Sequence, residues 1–276
     1  DIKYKEVYSS NQKYGVYTMD LIQSSQNQKI KDVVKLHQRK HRYKERKFLI
    51  EGDHLISEAI AANIHIDSIF IDENIHVEAS YLDELNKYCN HCYSISKEVT
   101  SALSTTETTQ GIFAVCEMQE SNDVIDLKGL NKIIYLDRIQ DPGNLGTIIR
   151  TADACGLDAV VLSEGTVDVY NDKVIRSTQG SLFHIPILIE SFESVCEHFE
   201  GHIYGTALDD DALDYRQVEP RQSFMLVVGN EGRGVHPDIL RSTDDNVYIP
   251  IRGEVESLNV SIASGILMYH LSRFDG

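Results

Sequence analysis

The stretch EVESLNVSIASGILMYHL, residues 254–271, is the one on which the reading of this chain turns. From Ile262 onward it has the composition of a buried helix, with Ile262, Ile266, Leu267, Tyr269 and Leu271 available to a core. Its head carries Ser257, Asn259 and Ser261, interleaved with Leu258 and Val260. Short polar side chains cap the free N–H groups of a helix's first turn. One such residue is enough for a cap, so three call for a second role.

Two earlier turns share this character. In DRIQDPGNLGTIIRTADACG (137–156), Pro142 and Gly143 fix a tight turn between a strand and a helix. Asn144 lies at its exit and Arg150 one and a half turns into the helix. The plain structural reading makes Asn144 a cap and Arg150 half of a surface ion pair. In VVGNEGRGVHPDIL (227–240) three glycines crowd a turn after an apolar strand. Such a turn lets a ligand approach backbone N–H groups closely. The spacing is G-x-x-G-x-G, whereas a dinucleotide site has G-x-G-x-x-G, which disfavours a nicotinamide oxidoreductase; no P-loop pattern occurs.

Around these turns the second half alternates strands and helices. Apolar runs at 132–139, 159–164, 203–208, 224–230 and 246–251 read as strands. Helical patterns at 146–156 and in 169–187 lie between them, which predicts a parallel sheet covered on both faces. Ligands bind beyond the carboxyl ends of such strands. The first half is also α/β: a basic helix over 29–45, strands at 48–52, 67–72 and 111–118, and helices at 54–63 and 77–89. The polar segment 119–130 reads as a linker between domains at 19–118 and 131–276. Residues 1–18, polar and Tyr-rich ahead of Met19, are expected to be a flexible extension, or sequence upstream of a start at Met19, and to stand outside the fold.

The 276 residues suffice for two ordinary domains, and 42% hydrophobic with 25% charged residues is ordinary for a soluble globular protein. No apolar run reaches the length of a membrane span, and the N-terminal stretch has no signal-peptide core. Five cysteines, an odd number, point to reduced thiols in the cytoplasm. Cys89 and Cys92 bracket His91, but no second ligand pair accompanies them, so no metal is expected. A net charge of −17 argues against nucleic acid at first sight. Residues 29–47, however, hold nine Lys or Arg against Asp32 and Glu45. Such a segment is either a solvated helix face or a local phosphate-binding footprint, with Arg39, Lys40, Arg42 and Lys44 as candidate RNA contacts.

Taken together, the three turns resemble the three signature motifs of the SPOUT-type RNA ribose 2′-O-methyltransferases, the SpoU or TrmH family. The first motif's Asn and Arg fall on Asn144 and Arg150, the second on Gly229, Asn230, Glu231 and Gly234, and the third on Ser257 to Ser261. More loosely, the first half resembles the small, ribosomal-protein-like α/β substrate-binding domain often fused ahead of this catalytic domain. The resemblance implies a deep trefoil knot, a homodimer with active sites at its interface, and S-adenosylmethionine held bent by 205–208, 227–232, 248–251 and 257–261. Thr206, Leu208, Gly229, Asn230, Ile249, Ile251 and Leu258 would line the cofactor site. Asn144, Arg150, Ser257 and Asn259 would be catalytic. The family assigns Arg150 the role of base, yet a guanidinium stays protonated, which favours gripping a phosphate and orienting the hydroxyl. Glu231 would anchor its loop or the partners of Arg150. The expected substrate is structured RNA, ribosomal over transfer RNA because of the added N-terminal domain. The alternatives are transfer RNA ribose methylation, base-nitrogen methylation and a non-catalytic assembly factor. The S-L-N-V-S motif favours ribose over base nitrogen, and intact Asn144, Arg150 and Asn259 count against the last.

Overall fold

The computed structural model describes residues 3–7, 17–119, 127–209 and 211–273. Two compact units divide the chain between Glu120 and Ser121, inside the stretch read as a linker. Of that stretch, 120–126 lie outside the described residues and Leu127–Gly129 forms a 3-10 turn.

The first unit runs β1 (Lys3–Val7), β2 (Tyr17–Ile22), α1 (Gln28–Lys35), α2 (Arg39–Glu45), β3 (Lys47–Glu51), α3 (Asp53–Ala61), β4 (Ile66–Asp72), α4 (Ala79–Tyr88), β5 (Cys89–Ile95), α5 (Lys97–Leu103) and β6 (Ile112–Glu117). Its six-stranded sheet has the order β1-β2-β5-β4-β6-β3. β2, β5 and β4 are parallel; β1, β6 and β3 pair antiparallel. Ile30, Val33 and Leu36 from the α1 region and Val99 and Leu103 from α5 pack on Phe70, Tyr93, Ile95, Phe113 and Val115 of the sheet. α3 buries Leu55, Ile56 and Ala59, and α4 buries Leu82 and Leu85.

Three expectations change here. Residues 3–7 and 17–18 belong to β1 and β2, because an edge strand is held by backbone ladder bonds and needs no apolar run; residues 1–2 and 8–16 lie outside the described residues. Cys89 and Cys92 sit on β5, a strand inside the sheet that the polar sequence CNHCYSI concealed. Among the described residues no cluster of three His, Cys, Asp or Glu is arranged to hold a metal. The single basic helix is two helices. Arg42 is 4% exposed. Its Nη1 donates to the carbonyls of Leu36 and His37, both at 2.8 Å, and so satisfies groups that the end of α1 leaves without helical partners. Arg42 therefore leaves the set of exposed RNA-contact candidates.

The second unit runs β7 (Lys132–Asp137), α6 (Pro142–Ala154), β8 (Ala159–Leu162), α7 (Asp172–Thr178), β9 (Ile187–Ile189), α8 (Phe192–His198), β10 (His202–Thr206), β11 (Leu213–Asp214), β12 (Phe224–Gly229), α9 (Pro237–Leu240), β13 (Asp245–Tyr248) and α10 (Val260–Leu271). Its seven strands are all parallel, in the order β11-β13-β10-β12-β7-β8-β9. Every residue of β12 is buried, as a central strand covered on both faces requires. Alternation sorts the side chains. Ile134, Leu136, Leu226 and Val228 pack with Leu145, Ile148 and Ile149 of α6 and Leu267, Met268 and Leu271 of α10. Ile133, Tyr135, Met225 and Val227 pack with Phe192 and Val195 of α8.

α10 buries Leu267 and Leu271 as the pattern predicts, but Ile262 is 55% and Tyr269 58% exposed. With Ile266 they fall at i, i+4 and i+7, so the helix has a second apolar stripe directed away from its own core. The far end of α10 is fixed by His270, whose Nε2 lies 2.8 Å from the Val218 carbonyl.

Candidate active site

The three polar turns converge at the carboxyl ends of adjacent parallel strands. Thr206 ends β10, Gly229 ends β12 and Tyr248 ends β13, and all three border a cavity of about 440 Å³. The segment 249–258 and the first turns of α10 close it. Its walls include Leu208, Val228, Ile249, Ile251, Leu258, Val260 and Leu267, with Asn230, Glu231, Glu256 and Ser257 among the polar members. All seven residues assigned to the cofactor line this one cavity.

Several hydrogen bonds hold the loops in place. Asn230 Oδ1 accepts from the amides of Gly232 and Arg233, and its Nδ2 donates to the Arg138 carbonyl at 2.9 Å. Its side chain is therefore a brace for the loop. Asp137, 3% exposed, accepts from Arg138 Nε and Nη2 and from the His236 amide, each at 2.8 Å. This carboxylate ties the end of β7 to the return of the 230–236 loop. Only its place at a strand's carboxyl end marked it in the sequence. Thr206 Oγ1 donates to the Val227 carbonyl, joining β10 to β12.

Beside the cavity, the motifs are linked side chain to side chain. Glu231 accepts from the amides of Gln140 (3.1 Å) and Asp141 (2.9 Å) and from Asn144 Nδ2 (3.2 Å). Partial burial opposes ionisation of Glu231, but these hydrogen bonds outweigh it and hold the carboxyl below its usual range. Asp141 caps α6 by accepting the Asn144 amide; that bond, helped by Lys173, also lowers its pKa against partial desolvation. Asn259 Nδ2 donates to Asn144 Oδ1 at 3.0 Å, and Asn259 Oδ1 caps α10 by accepting from the amides of Ser261 and Ile262. Glu231, Asn144 and Asn259 thus form a chain from the second motif through the first to the third. Asn144 commits its carbonyl oxygen and one amide hydrogen to the chain, and Asn259 commits one amide hydrogen to it and its carbonyl oxygen to the cap of α10; the second amide hydrogen of each remains for a substrate.

The three polar residues at the head of α10 divide the work. Asn259 caps, Ser261 is buried with its Oγ donating to Asn259 Oδ1 at 2.6 Å, and Ser257 is exposed on the cavity wall. Arg150 stands apart. It is exposed on α6 and is not part of the wall, and its side chain hydrogen-bonds or ion-pairs with none of the described residues. Six residues beyond Asn144, it points roughly 120° round the helix from it.

The cavity suits S-adenosylmethionine on two grounds. Its volume lies in the range of small-molecule sites and its walls are largely apolar, as a flat purine needs. From Ile251 to Leu258 the backbone makes no hydrogen bond among the described residues, so its N–H and C=O groups are open to a ligand.

Comparison with known proteins agrees with this geometry. The SpoU rRNA Methylase family matches residues 131–269, and the MRM3-like substrate binding domain matches 27–114. The chain is 44% identical over 256 residues, 92% of its length and 99% of the relative's, to the 23S rRNA (guanosine(2553)-2′-O)-methyltransferase RlmP of Bacillus subtilis. The AdoMet-bound rRNA methyltransferase from Sinorhizobium meliloti superposes with a TM-score of 0.80 at 28% identity, covering 91% of this chain and 96% of that one. AviRb from Streptomyces viridochromogenes, in complex with AdoMet, gives 0.79 at 26% identity over 90% and 97%. The chain belongs to the SpoU family of S-adenosylmethionine-dependent RNA ribose methyltransferases, preceded by a substrate-binding domain of the MRM3-like kind.

Proposed function

We propose that this enzyme methylates the 2′-hydroxyl of a guanosine in 23S ribosomal RNA, within the cytoplasm. The carrying observation is the likeness to the Bacillus subtilis enzyme, which extends through both units and whose name specifies that chemistry. The cofactor supplies an activated methyl group; the protein's task is to hold and orient the hydroxyl against it. The spare amide hydrogens of Asn144 and Asn259, and the Ser257 hydroxyl, are the near polar groups. Arg150 grips a phosphate next to the target ribose. Mapping ribose methylation in 23S RNA with and without the gene tests the target: one guanosine signal should vanish. Loss confined to transfer RNA, or no loss, would overturn it.

A homodimer is part of this reading. Arg150 lies outside the cavity wall of its own protomer, and the stripe Ile262–Ile266–Tyr269 needs cover. The knotted path belongs to the same proposal: α10 follows directly on the wall segment 249–258 and packs back on α6 and β12. Ile262→Glu with Tyr269→Glu should give a monomer in sedimentation and abolish methyl transfer. An active monomer would contradict the dimer.

The RNA-facing surface of the first unit is proposed to be the exposed face of α1 and α2. Lys35, Lys44 and Lys47 are paired with Asp32, Glu45 and Asp67. Lys31 and Lys40 are exposed with no ion pair among the described residues, and Arg39 lies over the exposed Tyr43 ring at 5.3 Å. An arginine over an exposed aromatic ring, with unpaired lysines on the same two helices, matches backbone contact plus base stacking. Replacing Lys31, Arg39 and Lys40 with Ala should weaken RNA binding roughly tenfold and lower its salt slope by about 2. Arg42→Ala should instead lower thermal stability. Unchanged affinity and slope in the triple variant would leave only a solvated face.

A further inference from the structure

The cavity wall carries an electrostatic sign. Among its described residues there is no Lys, Arg or His, and there are two carboxylates, Glu231 and Glu256. Glu231 is committed to the amides of Gln140 and Asp141 and to Asn144. Glu256 is exposed to the cavity and makes no hydrogen bond or ion pair among the described residues. The N-terminus of α10 also borders the space, but Asn259 already occupies the amides of Ser261 and Ile262.

We propose that the Glu256 carboxylate makes this cavity charge-selective, favouring the cationic sulfonium cofactor over the neutral thioether that remains after methyl transfer. The inference rests on the cofactor assignment above and adds a residue role to it. In the reaction an O–CH3 bond forms and the S–CH3 bond breaks. Sulfur keeps the electron pair and loses its positive charge, and the hydroxyl proton passes to solvent. Substrate and spent cofactor share the same adenosine, ammonium and carboxylate groups, so they differ by one methyl and one unit of charge. Glu256 lines the same cavity as the residues assigned to the cofactor, and with a Debye length of ~8 Å at physiological salt its charge is only partly screened from a ligand bound there. Screening is weaker there than in bulk water, so the charge difference is felt. Glu256 thereby loosens the spent cofactor relative to the fresh one and frees the site for the next turnover.

The test is calorimetric titration of the full-length wild type, Glu256→Gln and Glu256→Lys with S-adenosylmethionine and, separately, S-adenosylhomocysteine. Glu256→Gln should weaken the sulfonium ligand roughly 3–10-fold and change the thioether less than about twofold. Glu256→Lys should shift the ratio further in the same direction, and added salt should narrow the gap between wild type and variants. An unchanged ratio in both variants would overturn the role of Glu256 while leaving the cofactor assignment standing. A wild type that binds neither ligand would overturn the assignment and the inference with it.

Discussion

Arg150→Ala is expected to lower methyl transfer roughly 10²–10⁴-fold while S-adenosylmethionine still binds at near wild-type affinity. The separation follows from placement. The cavity wall is built from the ends of β10, β12 and β13, the segment 249–258 and the start of α10, and Arg150 is in none of them. Its guanidinium is exposed and hydrogen-bonds to none of the described residues, so its removal leaves no buried group unsatisfied and costs the fold little. On the proposed role, what is lost is a planar, two-point grip on a phosphate. Arg150→Lys should fail nearly as badly, because an ammonium keeps the charge without the fork. Calorimetric titration beside a radiolabelled methyl assay reads both quantities. An active Arg150→Ala enzyme would refute the role, and loss of cofactor binding would move Arg150 into the cofactor site.

Gly229→Ala should produce the opposite pattern, losing cofactor binding and stability together. Gly229 ends β12 where the 230–235 loop doubles back across it. A Cβ there would lie 2.0 Å from the Val235 amide nitrogen and 2.1 Å from the Gly234 carbonyl carbon. Both are backbone atoms of a loop braced by Asn230 and Asp137, so relief requires the loop itself to move. Overpacking of this kind costs roughly 3 kcal/mol, which corresponds to a fall of about 10 °C in melting temperature for a domain of this size. The displaced loop forms one wall of the cavity, so calorimetry should detect no binding. A Gly229→Ala protein with wild-type melting and binding would show that the loop is looser than its hydrogen bonds imply.

Much of this arrangement was legible in the sequence because it is local. Apolar runs such as FMLVVG and KIIYLD mark strands buried on both faces. Asn259 marks a helix start by its own chemistry, whereas α6 begins at Pro142 with Asp141 as its cap, ahead of the turn and the Asn144 cap read from the sequence. Pairings between distant residues were not legible. Nothing near Glu231 shows that it holds the 140–144 turn some ninety residues upstream, and nothing near Arg42 shows that it splits a basic run into two helices. CNHCYSI was obscured by its polar start, since the ladder that makes it a strand comes from β2 and β4. The exposed stripe on α10 was misjudged because apolar spacing alone cannot say which surface covers a face.

The central claim is that the linked Glu231–Asn144–Asn259 chain and the adjoining cavity perform ribose methylation. The most direct measurement uses purified enzyme, methyl-labelled S-adenosylmethionine and 23S ribosomal RNA, followed by digestion to nucleosides and mass spectrometry. The label should appear in 2′-O-methylguanosine, should remain in a dinucleotide when the RNA is instead hydrolysed with alkali, and should be absent with Arg150→Ala. Label on a base nitrogen, or none transferred by an enzyme that binds its cofactor, would contradict the account.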